Sequence, residues 1–527
     1  MPFFFFAAMA CAPAEYADQE PENDAYDLAW WVEMGTPESC EDPAERVTYR
    51  ESGLDLGIDT EAFDPTAPGG HEDGPSLAVA DANADGHIDI VVTRMTNGVS
   101  HIYRGQDGLF ADYPGILDPG RSPVFVDVNF DGDLDMLLAG PNPTSVTFDR
   151  DLNPTMTPLP SLDDGESASV VHDWSVADFD GDGGLEAVAI RTASPFGQGT
   201  VTNDRILDIA PTGISVMDDW VPEKVGLRHG FDAVGFDEDE DGDIDLYIVH
   251  DHGATVGPST LLVNEGDGFV DGADSCFCEV PASAKGADIA DVDGDGFPEV
   301  FVTGAPHNTL FSRLETGWVD RSDASGVRDG VSMAAGWGAV FFDWGNDGQV
   351  DLLLAQGDRY NPGQTDLPDG RPAAFDEPLR LMATTPGGFV DVAPDLGMDV
   401  KGSFRAVSAV DINKDGVEDL IVTQASERTL VFVSEGCTAA NWIRVDAPIG
   451  AKVQVITPTK QLTNWVRVGR GYQSSARIPV HFGVGDDDVV SEIRVQLGGR
   501  DFRVEGPIAV RQTVTVRGPA PLVSGKE

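Results

Sequence analysis

The stretch DANADGHID, Asp81 to Asp89, decides the reading, because the chain repeats its pattern seven times. The other copies are DVNFDGDLD from Asp127, DFDGDGGLE from Asp178, DEDEDGDID from Asp237, DVDGDGFPE from Asp291, DWGNDGQVD from Asp343 and DINKDGVED from Asp411. Oxygen-bearing side chains stand at positions 1, 3, 5 and 9 around a glycine at position 6. Five or six mostly apolar residues follow each copy, as in a tight loop that feeds a buried strand.

The leading aspartates lie 46, 51, 59, 54, 52 and 68 residues apart. A strand-rich repeat near this length predicts a propeller whose blades are four-stranded sheets. In the fifth copy GADIADV reads as strand one, EVFVTG as strand two, NTLFSRL as strand three and GWVDRS as strand four. The seventh copy lacks a fourth strand after ERTLVFVSEG. The segment ERVTYRESGLDLG, Glu45 to Gly57, resembles one, so residues 45–52 are expected to close an all-β, seven-bladed propeller spanning 45–436. Cys40 and Cys437 flank the hairpin missing from that blade and are expected to form a disulfide. Cys276 and Cys278 are then left to each other, as a small disulfide ring or a weak metal pair.

Calcium takes six to eight oxygens at flexible geometry, and a loop with ligands at alternate positions supplies them. The candidate ligands are Asp81, Asn83, Asp85 and Asp89; Asp127, Asn129, Asp131 and Asp135; Asp178, Asp180, Asp182 and Glu186; Asp237, Asp239, Asp241 and Asp245; Asp291, Asp293, Asp295 and Glu299; Asp343, Asp347 and Asp351; and Asp411, Asn413, Asp415 and Asp419. The third, fourth and fifth copies are complete in carboxylates, while Gly345 leaves the sixth short of a ligand. An EF-hand is excluded, since position 12 is always apolar (Val92, Leu138, Ala189, Ile248, Val302, Leu354, Val422) and no helices flank the loops. Without a bidentate twelfth ligand, affinity in the Kd range of about 10⁻⁴ to 10⁻³ M and a mainly structural role are expected.

The formal charge of −58 excludes nucleic acid and anionic membrane surfaces as partners, because binding to phosphate requires a basic face. Residues 437–518 differ, with 11 Lys/Arg against 7 Asp/Glu. Their short alternating segments, such as WIRVDAP, AKVQVITP and SEIRVQLGG, predict a small β-sandwich or barrel followed by a tail at 519–527.

At the other end, MPFFFFAAMA before Cys11 resembles a bacterial export signal over residues 1–10. Either lipidation of Cys11 or cleavage at Ala8-Met9-Ala10 follows from it, giving a lipid-anchored surface protein or a secreted one. Residues 11–44 read as an acidic tether, with Trp30 and Trp31 packing onto the neighbouring domain.

The repeats resemble the FG-GAP/VCBS repeats of integrin α-chain propellers; VFVTGAP at Val300 to Pro306 keeps the Gly-Ala-Pro after the metal loop. The C-terminal module is similar to the ASPIC/UnbV domain through Ile449 to Val453, Gly471 to Ser474 and His481 to Gly485. The combination resembles the cartilage acidic protein family and its bacterial relatives. It departs at Gly345 and at Leu497-Gly498-Gly499, where that family has a Trp-Pro-x-Gly turn. The resemblance implies extracellular, calcium-stabilised recognition or adhesion.

With calcium at the turns between strands one and two, the turns between strands two and three emerge on the opposite face. The longest of these are Arg191 to Arg205, His250 to Thr260 and Ala355 to Pro378. Long loops on a rigid scaffold favour binding, so a glycan or protein ligand is expected there. The alternative is an extracellular propeller enzyme, a hydrolase or lyase on a polymer, using acidic residues or His250 and His252 near the central channel as acid/base groups. No Walker loop, G-x-S-x-G or H-E-x-x-H pattern accompanies them, and no catalytic residue is assigned.

Overall fold

The computed structural model describes residues 30–40, 43–44, 46–59, 74–93, 100–114, 120–162, 169–193, 203–217, 220–314, 317–328, 335–358, 376–425 and 427–518. The export segment 1–10, Cys11, the tail 519–527 and the middle of two expected binding loops (194–202 and 359–375) lie outside them.

The described chain is almost all β, with only single turns of helix at Glu223–Gly226, Ala273–Cys276 and Ala393–Leu396. Ser76–Ala80, Asp89–Thr93, His101–Gln106 and Leu109–Pro114 pair in chain order as the first antiparallel sheet. Five more repeat that order: Arg121–Val126 through Pro154–Pro158, Ser169–Ala177 through Gly213–Met217, His229–Phe236 through Phe269–Asp271, Ser283–Ala290 through Gly317–Asp320, and Gly336–Phe342 through Gly388–Asp391. The seventh sheet takes Phe404–Val410, Asp419–Gln424 and Leu430–Ser434 and completes itself with Tyr49–Glu51, whose Arg50 pairs with Val433. The N-terminal segment thus supplies the missing fourth strand.

Every second strand is buried on both faces, as in Asp351–Gln356 and Asp419–Gln424, which is why its sequence runs apolar instead of alternating. The apolar side chains form layers between consecutive sheets. Leu353 of the sixth sheet packs into one cluster with Val422 of the seventh, and Ile421 of the seventh packs with Leu77 and Val92 of the first. The first strands lie against one another in series, and that of the seventh sheet also lies against that of the first.

Residues 441–517 supply three strands to one further sheet and four to another, around a core that includes Ile443, Val453, Ile493 and Val514. One sheet gains Trp31–Met34 as an antiparallel edge strand on Thr513–Arg517, with Val32 opposite Val516. This corrects the tether reading of 11–44 at residues 31–34. An edge strand is held by backbone hydrogen bonds, so an acidic sequence without periodicity can still supply one. Trp30 stacks on Phe502 at 5.2 Å, whereas Trp31 remains half exposed.

Disulfides join Cys40 to Cys437 and Cys276 to Cys278. The first spans 397 positions and sits where the N-terminal segment passes from the C-terminal module to the seventh sheet. Tying so long a loop contributes about 5 kcal/mol on the chain-entropy account. Cys437→Ala is therefore expected to lower the thermal midpoint, and reductant should lower that of the parent by more than that of the variant, which keeps only the Cys276–Cys278 bond. An unchanged midpoint in thermal denaturation would show that the staple does not carry the closure.

Candidate metal centres

Each acidic phrase forms the turn between the first and second strands of its sheet. Two left-handed residues bend it, one at position 4 and the glycine at position 6, for example Ala84 (φ 55°) and Gly86 (φ 85°), or Lys414 (φ 60°) and Gly416 (φ 85°). The leading carboxylate accepts the position-6 N–H throughout, at 3.1 Å in Asp178 and Asp237 and 3.0 Å in Asp291. The ninth residue reaches back to position 2: Glu186 accepts from Phe179 N–H at 2.7 Å and Asp245 from Glu238 at 2.6 Å. In several sheets its second oxygen accepts an N–H of the third strand, as Asp89 does from Gly105 and Asp419 from Ser434. Position 9 is therefore a structural pin of the turn.

The seven loops are not equivalent. Among the described residues three carboxylates converge within 4.8 Å only in the third, fourth and fifth: Asp178, Asp180 and Glu186; Asp237, Asp239 and Asp245; Asp291, Asp293 and Asp295. In these same loops one oxygen of the leading carboxylate, Oδ1 of Asp178, Asp237 and Asp291, is buried without a well-formed hydrogen bond. Elsewhere that oxygen is engaged, by Asp85 N–H on Asp81, Phe130 on Asp127, Asp347 on Asp343 and Asp415 on Asp411. A buried carboxylate oxygen without a well-formed hydrogen bond, beside two further carboxylates, is a donor set that a hard divalent cation fits. Asp182, Asp241 and Glu299 belong to these loops but stand outside the three-residue groupings.

Burial, with the neighbouring carboxylates adding, pushes Asp178, Asp237 and Asp291 up to about 6. Glu186, Asp245 and Glu299 rise to about 8 for the same reason. In the other loops burial lifts Asp89 to about 7, Asp135 to about 6 and Asp351 to about 8.

The C-terminal module sits on the face that carries these loops. Lys452 pairs with Glu240 at 2.8 Å, and the Gly242 backbone meets Gly499 so closely that a Cβ would lie 2.6 Å from its nitrogen. Lys460 donates to the Asp347 carbonyl at 2.5 Å, His481 bonds Asn346 at 2.6 Å, and Arg444 pairs with Asp411. From this base, residues 469–477 reach inward and touch the first strand of all seven sheets. Ser474–Arg477 pairs in parallel with Ser76–Ala80, and Ser475 donates to Pro123 O at 2.6 Å. Gln473 meets His172, and Gly469 lies near Ala233. Gly471 N–H donates to Ala287 O at 3.0 Å, Tyr472 meets Trp337 edge-on at 4.9 Å, and Ser474 donates to Val407 O at 2.6 Å. Gly471 (φ 72°) has no room for a side chain, since a Cβ would stand 2.4 Å from Ala339 O. The spacing of the acidic phrase gives no hint of this insertion; its signal is the glycine-flanked Gly471-Tyr472-Gln473-Ser474.

His250 and His252 do not form a joint site. His250 is fully buried, burial pushes it down to about 3, and its Nδ1 bonds Pro258 O at 3.0 Å. His252 is part-exposed in the following turn.

Sheet repetition, acidic turns and a basic module seated on them define a β-repeat protein with metal-loop geometry and an appended β domain. Family models match both parts: the FG-GAP-like repeat at residues 81–138 and 237–302, and ASPIC and UnbV at 446–521. No curated protein matches the chain. Similar solved structures include BBS1N in complex with ARL6DN (12% identity, 74% of this chain and 97% of that one, TM-score 0.41). The Dos1 propeller (10%, 66% and 75%, TM-score 0.38) and AofleA from Arthrobotrys oligospora (12%, 67% and 92%, TM-score 0.34) are others.

The raised carboxylates make a pH prediction. A folded-state value above the ordinary carboxylate range stabilises the fold fully below about pH 4, and that stabilisation is lost as pH rises through about 6 to 8. In chelator the thermal midpoint should fall between about pH 5 and about pH 8. Millimolar calcium, by offsetting the ionised loops, should remove that fall. A midpoint in chelator that stays level or rises over this window would contradict it.

Proposed function

We propose that the chain is an exported, calcium-stabilised recognition protein. Its seven sheets close as a propeller over 45–436, residues 437–518 with the strand Trp31–Met34 form the second domain, and a glycan or protein binds on the face opposite the metal loops. The third, fourth and fifth loops hold calcium through Asp178, Asp180 and Glu186, through Asp237, Asp239 and Asp245, and through Asp291, Asp293 and Asp295, each with the carbonyl oxygens of its loop. The ion supplies charge neutralisation and ties the first strand to the second; it is not the recognition element.

One observation carries the choice of face. The module covers the metal-loop side and residues 469–477 fill the space among the first strands, whereas among the described residues no hydrogen bond or ion pair joins the module to the turns at 250–260 and 272–282 on the opposite side. The connection from the fourth to the fifth sheet emerges there, and in it the Cys276–Cys278 ring carries Phe277 outward, 72% exposed at φ 55°. A bulky residue held left-handed and in water is costly, and such outliers cluster at binding sites. Val256, in the turn between the second and third strands of the fourth sheet, is also exposed.

Glycan and protein arrays probed in calcium and in chelator test the proposal. A ligand found there should lose about tenfold or more in affinity with Phe277→Ala, the scale of an aromatic anchor. Arg500→Glu, on the module side, should leave it unchanged. The reverse pattern would move the site to the module.

A further inference from the structure

We infer that in the seventh loop the guanidinium of Arg444 takes the place that a metal ion takes in the third, fourth and fifth, so that this loop anchors the C-terminal module instead of binding calcium. The inference rests on the calcium reading of those three loops.

The seventh loop keeps the acidic phrase but not the open coordination. Arg444 Nη2 donates to Asp411 Oδ2, with the two side chains 14% and 2% exposed. The same oxygen accepts Gly416 N–H at 2.9 Å, and Oδ1 accepts Asp415 N–H at 3.2 Å. Asp415 accepts from Val417 N–H at 2.9 Å, Ser434 Oγ at 2.7 Å and Asn413 Nδ2 at 2.9 Å. Asp419 accepts from Ile412 N–H at 2.8 Å and Ser434 N–H at 2.7 Å. Every carboxylate oxygen among its three aspartates has a donor, whereas the third, fourth and fifth loops each leave one buried without a well-formed hydrogen bond. Arginine suits this role because it stays charged and presents a fork of N–H groups to a carboxylate.

Arg444 is held in place from its other side. It lies over the Trp442 ring at 4.2 Å, and its Nε donates to His481 Nδ1 at 3.4 Å. Burial and the Arg444 charge hold His481 well below its ordinary value, so the ring is neutral, with the proton on Nε2 facing Asn346 Oδ1 at 2.6 Å. Asn346, in the sixth loop, donates from Nδ2 to Gly416 O of the seventh at 2.8 Å, which closes a circuit through both loops and the module. Trp442 packs on Gly416 so tightly that a Cβ there would lie 1.9 Å from Nε1. The position-6 glycine thus serves docking as well as the turn. Three consecutive loops are left for calcium, of which the fourth also meets the module through Glu240 and Gly242, and the next two hold the module through Lys460, His481 and Arg444.

Calcium per chain, measured by equilibrium dialysis, and thermal midpoints decide the matter for the full-length wild type, Asp411→Asn, Arg444→Gln, Arg444→Lys and the Asp411→Asn/Arg444→Gln double variant. Asp411→Asn should lose no calcium. Arg444→Gln should gain one ion per chain in millimolar calcium. In chelator each of these two should lower the midpoint by about 2–4 °C, and the double variant should lose no more than either alone. Arg444→Lys, which keeps the charge, should fall less than Arg444→Gln. Loss of an ion in Asp411→Asn, no gain in Arg444→Gln, or additive midpoint losses would overturn the inference. If the wild type takes up no calcium at all, the calcium reading fails, while the double-variant comparison still reports whether Arg444 and Asp411 are coupled.

Discussion

Placing several carboxylates on a turn against a packed sheet is the constraint on which the rest of this structure depends. Ionised groups leave water only when something replaces its dipoles and offsets their charge. Backbone N–H groups provide the first part everywhere: the leading carboxylate binds the glycine N–H, and the ninth residue binds position 2 and, in several sheets, the third strand. These bonds set the turn and its distance from the third strand, so the phrase works as a folding element before any ion arrives. They do not cancel the charge, and the chain's −58 shows how little of it is neutralised by its own cations.

The C-terminal module answers that imbalance on one face. Its excess of basic residues lies where the loops are: Lys452 on Glu240, Lys460 on the sixth loop, Arg444 on Asp411, and Arg467 with Asp288 deep among the first strands at 2.5 Å. Arg467 and Asp288 are 5% and 0% exposed. A pair so buried is poor evidence for stability but strong for register, since removing either partner strands the other charge. Residues 469–477 add the same specificity through shape. The two parts share a buried interior and are best regarded as one folding body.

Much of the architecture was legible in the sequence because it follows from local patterns. The repeated phrase marks every turn between strands one and two, the apolar run after it marks a strand buried on both faces, and the defect in the seventh copy points to Tyr49–Glu51. Cys40 and Cys437 were readable from that same defect. Trp31–Met34 was not, because an edge strand is recruited by backbone pairing and leaves no side-chain periodicity. The difference among loops was half legible. Full carboxylate sets distinguish the third, fourth and fifth, but the seventh looked equal to the first and second until Arg444, 33 residues beyond Asp411, came to lie on it. Contacts made by a folded domain approaching from outside have no spacing rule to betray them.

The asymmetry of the two faces follows from these same forces. A mildly basic domain tethered to a strongly acidic array will settle where carboxylates are densest, and in this fold that is the end of each sheet carrying the phrase. Docking there consumes the very groups that would otherwise attract cationic partners. It also seats Gly471 and Tyr472 tightly among the first strands, with no room for a side chain at 471 and Tyr472 edge-on to Trp337. On the opposite side the described connections include the turn that carries Val256 and the Cys276–Cys278 ring. Among the described residues the most exposed large apolar side chain, Phe277, is fixed by a covalent ring instead of by packing. A rigid side chain loses little entropy on binding, and a rim free of structural duty can change its loops without disturbing the sheets beneath.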